Sequence, residues 1–269
     1  MTPSPVVVLV NYRSLANIEA RLASEALVGC EVIVVDNGDD PEGVTEACRR
    51  HGAKSLLLER NVGFAGGVNA AVSEIGTSDR PWLLLNPDAA VSPQALATLL
   101  EALPGYDAVG PALRQADERL QVGSGGGPLT LRSVVYYFLF VVHLMPWLRG
   151  VFLTRRQTMT TRPVDWLCMA CLLLAPDAFA RFGPVPEDEL VYAEDVAWGT
   201  NASLAGAQFL LRADVVVRHE HGSSGESARW IGALERLCRR RLGSTRGLLA
   251  VGAIRLGLGL RRFLRRRVT

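Results

Sequence analysis

The first hundred residues alternate between short apolar runs and segments of helical length. Val6–Val10, Val32–Val35, Ser55–Leu58 and Trp82–Leu85 read as strands, separated by helical stretches Leu15–Leu27, Pro41–Arg50 and Ala65–Ser73. Ser92-Pro93 reads as the N-cap and first turn of a further helix reaching Leu103. The unbroken strand runs are buried on both faces, and a helix between successive strands forces right-handed crossovers. The fold class is therefore α/β, a Rossmann-like, mainly parallel, doubly wound sheet.

After Pro111 the alternation fails. The glycine-rich run of residues 123–128 reads as a flexible break, followed by an aromatic-rich stretch from Leu129 to Leu153. Val164–Ala175 and Gln208–Val217 read as strands, Glu194–Ala205 as a helix, and the chain from Glu226 onward as basic helices. This divides residues 1–225 (a nucleotide-binding half to about 111 and an acceptor half beyond it) from a C-terminal segment, 226–269.

Charge follows the same division. Residues 1–235 carry 18 basic against 27 acidic groups, whereas 236–269 add eleven arginines and no acid. Such a tail implies an anionic partner, and leucines interleaved with Arg255, Arg261, Arg262 and Arg265 to Arg267 suit a helix on anionic lipid. The alternative is a terminal helix packed on the acidic body. Nucleic acid is not expected, because only Phe263 among the tail's side chains could stack on a base. Val134–Met145 is too short to span a bilayer and fits a buried or interfacial helix. Five scattered cysteines and an N-terminus without a basic, apolar leader lead us to expect reduced thiols in the cytosol. Cys168 and Cys171 are expected to be small core residues.

In an open parallel sheet, ligands bind beyond the carboxyl ends of the strands. Three such ends carry polar clusters: Asn11-Tyr12-Arg13, Asp36-Asn37-Gly38 and Asn86-Pro87-Asp88. Each alone would also suit a turn. Arg60, Asn61, Gly66, Gly67 and Asn69 belong to a glycine-rich strand-to-helix junction of the kind that admits a phosphate. It is neither G-x-G-x-x-G nor a P-loop.

The succession Val35-Asp36-Asn37-Gly38, Asn61-x-Gly-Phe-Ala-Gly-Gly-x-Asn69, Leu85-Asn86-Pro87-Asp88, Tyr192-Ala-Glu194-Asp195 and His219-x-His221-Gly-x-Ser224 resembles family-2 glycosyltransferases. The branch it resembles is the rhamnosyltransferase-like one, with the GT-A fold. The resemblance implies that Asp36 holds the donor's base or ribose, that Asp88 ligates Mg2+ or Mn2+, and that Asp195 is the base of an inverting transfer, with Glu194 orienting it. Asn86 stands where many members carry a first aspartate, which implies a single-carboxylate metal motif.

The chemistry is consistent with those roles. A leaving nucleoside diphosphate calls for a divalent cation, and an attacking hydroxyl calls for a carboxylate base. His219 is a candidate nitrogen ligand and His221 a further one, unless both are surface loop residues. Glu194 and Asp195 would also suit any helix N-terminus. Asp165 and Trp166 either line the acceptor side or form an ordinary half-buried pair.

The expected partners are a dTDP- or UDP-sugar donor, a glycan or lipid-linked acceptor and an anionic membrane surface. A catalytically silent partner-binding domain is the competing class, which the presence of both Asp88 and Asp195 disfavours.

Overall fold

A computed structural model of the protein describes residues 3–121, 123–187, 193–220 and 226–266. The first half runs β1 (Val6–Asn11), α1 (Leu15–Leu22), β2 (Glu31–Asp36), α2 (Pro41–His51), β3 (Lys54–Leu57), α3 (Gly63–Ile75), β4 (Trp82–Leu85), β5 (Ala89–Ala90), α4 (Pro93–Ala102) and β6 (Ala108–Arg114). The second half continues with β7 (Gly125–Gly126), α5 (Leu131–Phe138), α6 (Val141–Leu144), α7 (Arg155–Thr158), β8 (Arg162–Val164), β9 (Trp166–Leu167), β10 (Cys171–Leu174), α8 (Ala178–Phe182), α9 (Glu194–Leu204), β11 (Phe209–His219), α10 (Glu226–Leu242) and α11 (Ser244–Arg266).

The main sheet is ordered β3-β2-β1-β4-β10-β6-β11-β5, with β8 also on β11. The β3-β2-β1-β4 half is parallel throughout, as are β6 and β11, while β10 is antiparallel to both of its neighbours. Successive residues of β1 and β2 feed opposite cores. Val6, Val8, Ile33 and Val35 pack on one face, Val7, Leu9 and Val34 on the other. Each such buried side chain contributes about 1.5–3 kcal/mol. Ser92 caps α4 by accepting from the Ala95 N–H.

Strand β6 is not legible in the sequence because it contains Gly110 and Pro111. Pro111 has no N–H to give a neighbouring strand, and the β11 register slips beside it, between Arg212 and Val216. The expected single strand over 164–175 is three pieces: β8, β9 and β10. The expected flexible break is instead packed structure. Gly125 and Gly126 pair with β9, and a Cβ on Gly126 would stand 1.9 Å from the Val151 carbonyl oxygen. The glycines there make room for packing and do not supply mobility.

The helix expected over Val134–Met145 is broken at Phe140, whose φ of 63° ends α5 and starts α6. The C-terminal segment is no appendage. Leu234, Leu237 and Cys238 of α10 and Ala250 and Ile254 of α11 share a core with Val134, Phe138 and Val142, and with Val196 and Ala197. Arg255 forms a two-pronged pair with Glu235, at 2.9 and 2.7 Å, that locks α11 to α10. Gly257 meets the Phe138 backbone so closely that a Cβ would lie 2.1 Å from its carbonyl oxygen. All five cysteines are free thiols.

Candidate active site

Two clefts meet at the carboxyl ends of β1 and β4, sharing Phe64 and Asn86. One is lined by amides and hydroxyls, from Tyr12, Ser14, Asn17, Asn37 and Asn61, and by the Asp88 carboxylate. The other is aromatic, with Phe152, Trp166 and Trp230 facing Cys168, Glu194, Asp195 and His219.

Beneath the amide-lined cleft lies a buried lattice of hydrogen bonds. Asp36 is fully buried and accepts from Asn11 Nδ2 (2.8 Å) and from the backbone N–H groups of Asp39 and Asp40 (3.1 Å each). Asn11, equally buried, accepts from the Ser14 N–H and hydroxyl. Neither side chain is in the cleft lining; both lie buried beneath it and hold its floor. Asn37 does line it, and it clamps the neighbouring loop by accepting from the Val62 N–H (2.9 Å) and donating to Asn61 Oδ1 and the Gly63 carbonyl. Gly38, at φ 71°, lets that loop approach: a Cβ there would lie 2.6 Å from the Arg60 backbone.

The other expected nucleotide residues divide by what they touch. Tyr12, Asn61 and Asn86 line the amide-lined cleft. Arg13 and Arg60 are exposed outside its lining, with the Arg13 N–H held by Asp39. Gly66 and Gly67 are buried in α3 and allow close packing there: a Cβ on Gly67 would press on Val10 at 2.8 Å. Asn69 binds the Val185 backbone through both ends of its amide and donates to Glu187 as well. That tethers α3 to the chain leading toward Glu194. Ser14 and Asn17 are lining residues that the sequence reading passed over, because a serine and an asparagine near a helix start carry no distinguishing signal.

At the seam, β5 pairs with β11 and sets His219 opposite Ala89, beside Asp88. His219 Nε2 lies 3.3 Å from Asp88 Oδ1 and 3.3 Å from Asn86 Nδ2. Its Nδ1 lies 2.8 Å from Gln121 Oε1, and ring and amide are both buried. Asn86 Oδ1 is buried with no hydrogen-bond partner among the described residues. The Asp88 carboxylate and the His219 imidazole, side by side, are donors of the kind a divalent cation takes. No three His, Cys, Asp or Glu side chains converge among the described residues. His221 and Tyr192 lie outside the described residues.

Across the aromatic cleft, α9 opens at Ala193, whose φ of 70° is a left-handed conformation costly to a residue with a Cβ. Gly199 lets α9 lie directly on β9, since a Cβ there would stand 2.3 Å from the Trp166 Cβ. This packing sets Asp195 in the cleft wall with Cys168. Burial raises the Asp195 pKa to about 6, against the Val196 N–H and the Cys168 thiol, which lower it. Cys171 is the core residue expected, but Cys168 lines the cleft, and burial pushes its thiol well up.

Trp166 is buried and donates to the Val151 carbonyl (2.8 Å), stacking edge-on with Phe152, which in turn meets Trp230 of α10 at 4.9 Å. Asp165 is outside the lining. It is held by Arg149 and Ser203, each at 3.0 Å.

Residues 6–124 match the family described as Glycosyl transferase family 2. Over this stretch the chain is similar to that family. The family-2 match carries Asp36 and Asp88 but ends before Asp195 and His219. Over 255 residues the chain is 28% identical to an N-acetylglucosaminyl-diphospho-decaprenol L-rhamnosyltransferase of Mycobacterium tuberculosis, covering 87% of this chain and 82% of that one.

In structure the chain is similar to GalNAc-T7 crystallised with UDP, GalNAc and Mn2+, at TM-score 0.60 and 13% identity, over 82% of this chain and 44% of that one. The chain thus spans under half of GalNAc-T7. It is also similar to S. aureus TarS 1-349, at TM-score 0.54 and 14% identity, over 93% of this chain and 70% of that one. The fold is GT-A: a mixed α/β architecture around a mostly parallel central sheet.

Proposed function

We propose that this chain transfers a hexose, rhamnose being the first candidate, from a nucleoside-diphosphate donor to a hydroxyl of a lipid-linked glycan, with inversion. The observation that carries this reading is Asp195, a carboxylate raised to about 6 in the wall of an aromatic cleft that joins an amide-lined one. A base with a pKa near the working pH is largely ionised and still accepts a proton efficiently. The amide-lined cleft takes the donor's nucleoside, and the aromatic cleft takes the acceptor sugar against Phe152, Trp166 and Trp230. Asp195 receives the acceptor hydroxyl's proton as that oxygen attacks the anomeric carbon, and a single displacement inverts it.

Asp88 and His219 would hold Mg2+ or Mn2+. When bound, the ion offsets charge developing on the leaving diphosphate. The relative's acceptor, a diphospho-decaprenol, supports a lipid-linked acceptor here.

The same reading takes the protein to the inner face of a membrane as a peripheral protein. No helix among the described residues is long and apolar enough to cross a membrane. Yet Leu144 and Trp147 are 83% and 71% exposed, and Leu256, Leu260 and Leu264 are exposed on α11. Arg261 stacks over Tyr137 and Phe140 and brings these two groups together. With arginines around them they suit anionic lipid.

The test is a screen of purified protein against nucleotide sugars with a diphospho-polyprenyl N-acetylglucosamine acceptor, reading transfer and donor hydrolysis. Transfer from at least one donor supports the reading. No turnover with any donor, in the presence of Mg2+ or Mn2+, would return the chain to the silent-domain class.

A further inference from the structure

The amide of Gln121 joins the two sides of the site. Its Oε1 meets His219 Nδ1 at 2.8 Å, and its Nε2 faces the Cys168 sulfur at 4.0 Å. Cys168 lines the same aromatic cleft as Asp195. The Gln121 backbone is fixed as well, its N–H donating to the Leu113 carbonyl at 2.8 Å. A neutral imidazole carries its proton on one nitrogen only, and a carbonyl oxygen facing Nδ1 requires that proton to be there. Nε2 then presents a lone pair that the Asn86 amide N–H faces at 3.3 Å, with Asp88 Oδ1 equally near. With the Gln121 amide reversed, its N–H would face Nδ1, move the proton to Nε2 and close that nitrogen to a cation.

We propose that Gln121 is a positioning residue that holds His219 in the Nδ1–H tautomer and so readies Nε2, with Asp88, for a divalent cation. This rests on reading Asp88 and His219 as the metal pair. A partner on the far nitrogen of a ligating histidine fixes ring and tautomer, and its loss typically costs ten- to a hundredfold in metal affinity. The sequence hides this role, because Gln121 lies seven residues past β6 in a segment without periodicity. The contact to Cys168 extends the same amide toward the base, so the cation site and Asp195 share one support.

The experiment uses full-length protein and two readouts. Ring-nitrogen NMR of His219 reports its tautomer without any metal, and Mn2+ affinity is measured by electron paramagnetic resonance with UDP or dTDP present. Wild type should show the Nδ1–H tautomer. Gln121→Leu should lose it and bind Mn2+ about ten- to a hundredfold more weakly. Gln121→Glu keeps an acceptor oxygen and should retain both the tautomer and most of the affinity. It also answers for any folding defect in the leucine variant.

An Nε2–H tautomer in wild type, or Mn2+ affinity unchanged in Gln121→Leu, overturns the proposal. Absence of Mn2+ binding in wild type alongside an intact Nδ1–H tautomer would remove the metal reading and leave Gln121's hold on the ring standing.

Discussion

Strands β1 and β4 are wholly buried and β2 nearly so, and the polar groups of these strands cluster at their carboxyl ends. The aromatic wall has no such plan. Its side chains arrive from β9, from α9, from α10 and from the segment after β6, and only tertiary packing brings them together. The amide-lined cleft is thus a property of the sheet, while the aromatic cleft depends on how helices lie upon it. Polar motifs at the amide-lined cleft mostly build the floor, as Asp36 and Asn11 do. In the aromatic cleft, by contrast, burial raises the pKa of Asp195, an acid in the first turn of α9.

The largest effect that contrast predicts is at Asp195. Asp195→Asn should lower kcat by about 100- to 10,000-fold, the range for removing a general base, while nucleotide affinity measured by calorimetry stays within about twofold. Near wild-type turnover would end its assignment as base. In the unmodified protein, kcat/KM should fall about tenfold per pH unit below about 6 and level off above it, because the base must be ionised. A profile flat through that window would place the proton elsewhere.

Asp36→Ala should behave differently, as a floor residue. It leaves Asn11 Nδ2 and two backbone N–H groups without their acceptor, a loss of about 2–3 kcal/mol seen as a lower Tm, with weaker nucleotide binding following from it. Weakened binding at unchanged Tm would instead show that Asp36 touches the nucleotide directly.

The smallest expected effect is on the outer face of α11. Deleting 246–269 removes buried Ala250 and Ile254 and should lower the Tm, so truncation does not isolate a membrane role. Leu260→Asp with Trp147→Asp alters exposed positions only, and should change folding stability by no more than about 1 kcal/mol while reducing co-sedimentation with anionic vesicles. Equal sedimentation of variant and wild type would remove this face as a lipid contact.

The sequence reading succeeds and fails along the same division. Unbroken apolar runs announce β1, β2 and β4, and Ser92-Pro93 announces α4. Strand β6 is obscured by its own Gly110 and Pro111, and the 123–128 run misleads because glycine serves close packing as readily as flexibility. At the site, Tyr12, Asn61, Asn86, Asp88, Asp195 and His219 stand in the clefts as their motifs suggest, together with Asn37. Gly66, Gly67 and Asn69 turn out to hold α3 in place. Gln121, Cys168 and Trp230 carry no local signal, since their positions follow from packing that no short spacing encodes.

The central claim is a single displacement with Asp195 as the base, and the anomeric configuration of the product tests it most directly. Proton NMR of the glycan formed by the wild-type enzyme, compared with the donor sugar, should show inversion at the anomeric carbon. Retention would contradict the account, because it requires a route that one base and one displacement cannot provide.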